Sequence, residues 1–202
     1  LEGRDVTVTG VVTGDFQDGD GRLADDLGGF YIQSESPDDD PDTSDGVFVF
    51  EQRGIVTDVV VGDRVVVAGR VQEFYGETQI VAKTVRKLGR GSIDPVDVSL
   101  PAGGTVDNAD GDPVADLEAF EGMLVRLPGR LTVTNLYELE RFGAIGMAAG
   151  GRLYQFTTVS PPDAGGYRRH REANAARSLI LDDGRRDANP DTLKYLMTSG
   201  DP

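Results

Sequence analysis

Five short runs of β-forming residues crowd into the first 90 positions, and the gaps between them are too short for parallel crossover connections. Val6 and Val8 alternate with Thr7 and Thr9 and lead into Val11 and Val12, the pattern of a half-buried strand. The second run is Phe30-Tyr31-Ile32-Gln33 and the third Val47-Phe48-Val49-Phe50. The fourth leaves the Gly62-Asp63 turn and continues through Val71, and the fifth covers residues 78–88. Five such strands predict an all-β chain that opens with a small antiparallel barrel of OB type over residues 1–90. No helix of ordinary length is expected between strands three and four, where many OB barrels carry one.

Residues 91–118 form a connector, punctuated by Pro95, Pro101 and Pro113 and by the run Ala102-Gly103-Gly104. A second β-rich, OB-like domain is expected over 119–202, with strands at 123–127, 131–134, 142–147 and 152–156. One short helix is expected over 163–178, ending near Arg177, followed by the apolar triplet Leu179-Ile180-Leu181. The polar tail offers no closing strand. An OB-like domain without its last strands would expose an unpaired edge, so the second domain is expected to be truncated and the chain to be part of something longer.

The absence of cysteine excludes disulfide scaffolds, thiolate zinc sites and cysteine nucleophiles, and a single histidine, His170, excludes the usual His-rich metal centres. No apolar run approaches the ~20 residues that span a bilayer, and no signal-peptide pattern opens the sequence. No membrane insertion is expected, and a secreted chain would already be processed. The formal charge is −15, of which −11 falls in residues 1–50, where 13 acidic residues meet two arginines. That balance is the reverse of the usual DNA-binding protein.

The acidic residues gather in two loops, one carrying Asp15, Asp18 and Asp20, the other Asp38, Asp40, Asp42 and Asp45. Calcium takes six to eight oxygen ligands, and Asp-rich loops with interspersed glycine supply them, so these seven are the candidate calcium ligands. Neither loop has EF-hand spacing, and a solvated acidic loop is the plainer account. OB barrels bind strands across the face of strands two and three, with aromatic rings stacking on bases. Tyr31, Phe48, Phe74 and Tyr75 are therefore candidate nucleic-acid contacts, although alternation requires about half of the strand aromatics to be core. Arg64, Arg70, Lys83 and Arg86 are the candidate phosphate contacts in a stretch, 64–90, with a net charge of +4, and Arg168 and Arg169 form a second basic cluster. No catalytic constellation is expected: there is no Gly-x-Ser-x-Gly elbow and no phosphate loop, and the single histidine, His170, sits among arginines.

Several segments, in order along the chain, resemble the accessory region of secreted bacterial nucleases of the ExeM/NucH type. They include Gly14-Asp15-Phe16-Gln17, Leu27-Gly28-Gly29-Phe30-Tyr31-Ile32-Gln33, Asp42-Thr43-Ser44-Asp45-Gly46-Val47-Phe48-Val49, Val61-Gly62-Asp63-Arg64-Val65 and Gln72-Glu73-Phe74-Tyr75-Gly76-Glu77. Further along they include Phe120-Glu121-Gly122-Met123-Leu124-Val125, Gly150-Gly151-Arg152-Leu153-Tyr154-Gln155 and Leu181-Asp182-Asp183-Gly184. The resemblance implies an exported parent that cuts DNA or RNA with little sequence preference and depends on Mg2+ or Ca2+. Its chemistry would lie in a downstream endonuclease/exonuclease/phosphatase-type domain whose catalytic motifs have no counterpart here, so no catalytic residue carries over. The expected role is an accessory one: weak, non-specific binding of DNA or RNA, and positioning of the downstream catalytic domain. The competing expectation is a calcium-stabilised structural or assembly module of a secreted or cell-surface protein.

Overall fold

The computed structural model describes residues 1–17, 27–38, 40–51, 57–186 and 188–189, and the chain divides into two units. The first consists of Leu1–Val96 with Glu118–Arg126. Its strands are β1 (Asp5–Phe16), β2 (Gly29–Gln33), β3 (Gly46–Glu51), β4 (Asp63–Phe74) and β5 (Glu77–Arg90), closed into a barrel in the order β1-β2-β3-β5-β4. The long β1 meets β2 through its second half and β4 through its first. A break in the β1–β2 register between Val12 and Gly14 lets the strand bend around the barrel.

One pairing departs from an all-antiparallel barrel. β3 runs parallel to β5, with Phe48 opposite Gln79 and Val49 opposite Ile80. The chain reaches β5 by way of β4, which pairs antiparallel with both β1 and β5, so the last seam closes between two strands of the same direction. This strand order, with its single parallel seam, is that of an OB barrel.

Strict alternation builds the interior. Val65, Val67 and Val71 of β4 face inward while Arg64, Arg70 and Gln72 face out, and Phe30 and Ile32 of β2 flank an outward Tyr31. The core is Val12, Phe30, Ile32, Val49, Val59, Val65, Val67, Ile80 and Ala82. Each fully buried side chain of this size contributes roughly 1.5–3 kcal/mol of transfer free energy. In the β3–β4 connection the described residues 57–62 contain no helix, and fully buried Val59 enters the core from there.

Glu118–Arg126 packs against this barrel, although along the chain it adjoins the second β-rich segment. It carries a 3-10 turn (Glu118–Phe120) and strand β9 (Val125–Arg126), and residues between the two are pinned near the end of β2 and the start of β3. The Leu124 amide donates to Gln33 Oε1 at 2.9 Å, and the Ser44 hydroxyl donates to the Glu121 carbonyl. The Val96 amide, at the start of β6 (Val96–Asp97), donates to the Leu124 carbonyl at 3.0 Å.

The second unit is Asp97–Leu117 with Leu127–Pro202. A hairpin of β7 (Thr105–Asp107) and β8 (Pro113–Ala115) precedes an antiparallel sheet in the order β10 (Leu131–Asn135), β11 (Ile145–Ala149), β12 (Ser178–Leu181). The anticipated strand at 142–147 is split: α1 (Leu139–Phe142) stops at left-handed Gly143, with φ of 69°, before β11 begins. The anticipated strand at 152–156 is irregular chain leading into α2 (Phe156–Val159). The expected helix is α3 (Ala164–Ala176); the Asp163 carboxylate caps its start by accepting the Gly166 amide. Arg177, just past its end, donates to the carbonyls of Ala149, Gly151 and Arg152 and ties the helix to the end of β11.

Candidate nucleic-acid interface

Outward residues of β1, β2 and β3 assemble an aromatic row on the barrel wall. Phe16 meets Tyr31 edge-on at 5.9 Å, and Tyr31 lies against Phe48 at 4.8 Å. Cross-strand register brings this about, because Tyr31 stands opposite Phe48 and Gly29 opposite Phe16. Gly29 is required: a Cβ there would lie 2.1 Å from the Val49 carbonyl oxygen and 2.8 Å from Phe48 Cζ. The Tyr31 hydroxyl donates to Glu77 Oε1 at 2.7 Å, which ties the row to the first residue of β5. Phe48 is only 4 % exposed, so although its ring is on the outer side it offers almost no surface for stacking. Phe16 is not among the sequence candidates; nothing in its local sequence marks it, whereas the register across to Gly29 places it beside Tyr31.

The two aromatics at the β4–β5 hairpin are placed differently. Phe74 and Tyr75 meet edge-on at 4.7 Å at the tip, where Tyr75 is 97 % exposed. The two-residue turn is Tyr75-Gly76 with φ of 54° and 89°. Hairpin turns with both central residues at positive φ favour Asn-Gly, and a tyrosine in the left-handed region is strained by ~1–2 kcal/mol. A fully solvated ring therefore occupies a strained position.

Most of the basic candidates are neutralised. Arg64 forms a bidentate pair with Glu35 at 2.6 and 2.7 Å, which holds the Glu35 carboxyl below its usual range and raises Arg64. Lys83 contacts Asp5 at 2.7 Å and lowers it. Lys87 and Arg90 both reach Asp63 at 2.8 Å; hydrogen bonds from Lys87 and then Arg90 bring its carboxyl down to about 2. Arg70 and Arg86 are exposed and have no ion pair among the described residues. On α3, Arg168 lies 3.9 Å from Glu172 and Arg169 lies 4.0 Å from Asp163, both solvated. Arg171 pairs with Asp112, and His170 Nε2 lies 2.8 Å from the Tyr154 carbonyl and 3.0 Å from Asn174 Nδ2. These contacts anchor the helix.

Carboxylates also border the barrel face. Burial raises Glu121, whose carboxylate accepts the Thr78 amide at 3.3 Å with Glu118, Glu77 and Glu73 nearby. Burial likewise raises Glu51, against the pull of a 2.6 Å hydrogen bond from Gln17. Among the candidate calcium ligands, Asp18 and Asp20 lie outside the described residues. Asp15 accepts the Gln17 amide. Asp38 accepts the Asp40 amide and the Thr43 hydroxyl, and Asp40 accepts the Asp42 amide. Asp42 is exposed and Asp45 half-buried. Among the described residues no three His, Cys, Asp or Glu side chains converge as a metal cage would need, and the Asp38 and Asp40 carboxylates hold the loop's own amides.

No family model matches the chain, and no curated protein matches it. Among solved structures, the hypothetical protein ygiW from E. coli aligns with a TM-score of 0.31 at 18% identity, over 44% of this chain and 78% of that one. The OB assignment rests on the strand order and the parallel seam.

Proposed function

We propose that this chain is an accessory nucleic-acid-binding and positioning region of an extracellular, metal-dependent, sequence-nonspecific nuclease whose catalytic domain lies outside it. The observation that carries this reading is Tyr75, an almost fully solvated ring held at φ of 54° beside Phe74 at the tip of the β4–β5 hairpin. OB barrels use the loop between their last two strands, together with the face of strands two and three, to hold oligonucleotides. Backbone strain that serves no packing purpose points to use of the side chain.

Binding on this reading is dominated by stacking. Arg70 and Arg86 are the two barrel candidates left to meet phosphates, so the salt slope for a single strand is about −0.7 times two. Between 50 and 200 mM salt, affinity for labelled single-stranded DNA should fall only about sevenfold. Fluorescence anisotropy at those concentrations, with gel analysis of the same samples with magnesium plus calcium or with EDTA, tests the proposal. Weak binding with a shallow salt slope and intact DNA supports it. No binding rejects the nucleic-acid role, and metal-dependent cutting rejects the accessory one.

A second reading, a calcium-stabilised structural or assembly module, draws on the density of carboxylates at Asp38, Asp40, Asp42 and Asp45 within one loop. It requires a melting temperature that rises steeply with millimolar calcium, without nucleic-acid binding.

A further inference from the structure

Carboxylates lie between the two aromatic platforms of the barrel. Glu77, the first residue of β5, accepts the Tyr31 hydroxyl at 2.7 Å and follows the Tyr75-Gly76 turn. Glu73 precedes Phe74 at the end of β4 and accepts the Thr78 hydroxyl at 2.7 Å. Glu121 reaches the same threonine from the Glu118–Arg126 segment, its carboxylate accepting the Thr78 amide at 3.3 Å. Glu118 is held beside it, since the Glu121 amide donates to the Glu118 carbonyl at 3.0 Å. None of these four carboxylates has an ion pair among the described residues. A single strand stacked on both Tyr31 and Tyr75 carries its linking phosphates over Glu77 and past Glu73 and Glu121, where like charges oppose it.

The charges around Glu121 come from every side. Glu118 stands on its own segment, Glu73 on β4 and Glu77 on β5, and the Tyr31 hydroxyl on β2 is bound to Glu77. Asp45 follows Ser44, whose hydroxyl donates to the Glu121 carbonyl. Two cations belong to the same surroundings: the Leu1 ammonium at the barrel mouth, which Thr78 and Asp45 also line, and Arg126 at the far end of the segment. Neither sets the state of Glu121. Burial, then Glu118, Glu77 and Glu73, hold its carboxyl above the ordinary 4.5, and the Thr78 amide opposes them.

We infer that nucleic-acid binding on this face is gated by protons, the strand binding more tightly once Glu121 is neutral and drawing a proton onto it on arrival. The gate presupposes the accessory reading, in which the barrel holds a single strand. An approaching phosphate raises the carboxyl further, so affinity gains as pH falls from 7 towards 5.

Labelled oligothymidylate, whose base does not titrate in that interval, is the probe, followed by anisotropy with the whole 202-residue chain at pH 7, 6 and 5 and constant salt. Affinity should rise about threefold from pH 7 to 5, the scale of one partly exposed charge. Glu121→Gln keeps an acceptor for the Thr78 amide; at pH 7 it should bind about as tightly as the parent at pH 5, with a flat profile. If far-UV dichroism shows that this variant does not fold, Glu77→Gln decides, and its affinity at pH 7 should exceed the parent's about threefold. Equal binding at all three pH values, a pH step that survives in Glu121→Gln, or an unchanged affinity in Glu77→Gln would each overturn the gate and leave the accessory reading standing. No binding at any pH would overturn both.

Discussion

The backbone amide of Leu124 is satisfied by the side chain of Gln33, 91 residues earlier, at 2.9 Å. Gln33 stands on the outer wall of β2 opposite Gly46 and is buried there because Glu118–Arg126 lies across it. The Glu121 carboxylate on the same segment accepts the Thr78 amide, and Gly122 abuts Gly46. One end of the strand-two and strand-three wall, the surface an OB barrel offers to a ligand, is thus covered by the protein's own chain. Phe16 and Tyr31 remain at the other end of that wall.

The closeness of this covering makes Gly46 sensitive to a single methyl. A Cβ there would lie 2.5 Å from the carbonyl carbon and oxygen of Gly122 and 2.7 Å from the Met123 nitrogen, all backbone atoms that cannot swing aside. Gly46→Ala should destabilise the first unit by about 1–3 kcal/mol, the usual range for overpacking. A Cβ at Gly103 meets nothing within 4 Å, so Gly103→Ala should change stability by no more than about 0.5 kcal/mol. Urea unfolding midpoints of the two variants check the contrast.

Stability should pass through a maximum on the acid side of neutrality. Burial raises the Glu51 and Glu121 carboxyls above their ordinary value of 4.5, so the folded state takes up protons before the unfolded chain does and gains stability as pH falls. Asp63 has the opposite sign. Its carboxyl is held at about 2 against an ordinary 3.8, so its contribution is complete above the ordinary value and is lost as pH falls through the folded one. Melting temperatures from pH 7 to 2 should rise and then fall, and Asp63→Asn should flatten the fall alone. A steady decline from neutrality would refute the glutamate part, and an unchanged acid limb in Asp63→Asn would refute the other.

The five barrel strands were legible because each needs only its own alternation, as Val65 and Val67 against Arg64 and Val66 show. What lay between distant segments was not. The net +4 of residues 64–90 suggested a basic surface, yet Glu35 and Asp5 come from outside that stretch to cancel Arg64 and Lys83. Phe48 reads as a possible stacking ring, but the Tyr31 ring against it is a product of register. The covering by Glu118–Arg126 is sealed by Gln33 and Gly46, neither of which carries a sequence signal for a partner so far along the chain.

The arginines left unpaired should separate binding from stability. Arg70→Ala and Arg86→Ala should each flatten the salt slope for single-stranded DNA by about 0.7 with little change in urea midpoint. Lys87→Ala should do the reverse, because it removes a partner from Asp63, which is otherwise nearly enclosed, and takes no phosphate contact with it. Anisotropy titrations at several salt concentrations, paired with unfolding curves, would show the crossover. Equal effects of all three variants on the salt slope would mean that the ion pairs open on binding.

Tyr75 offers the sharpest separation. Its ring is solvated and its backbone is left-handed, so Tyr75→Asn removes stacking surface while supplying the residue this turn prefers. Stability should rise by up to about 1 kcal/mol, since the strain is relieved and no buried contact is lost. Affinity for single-stranded DNA should fall by roughly 1–3 kcal/mol, the usual worth of one base–aromatic stack. Phe74 stays in place as a partial platform, so the double variant Phe74→Ala/Tyr75→Asn should bind more weakly still. A more stable barrel with undiminished DNA affinity would show that the strained tyrosine takes no part in binding, and the accessory reading would lose the observation it stands on.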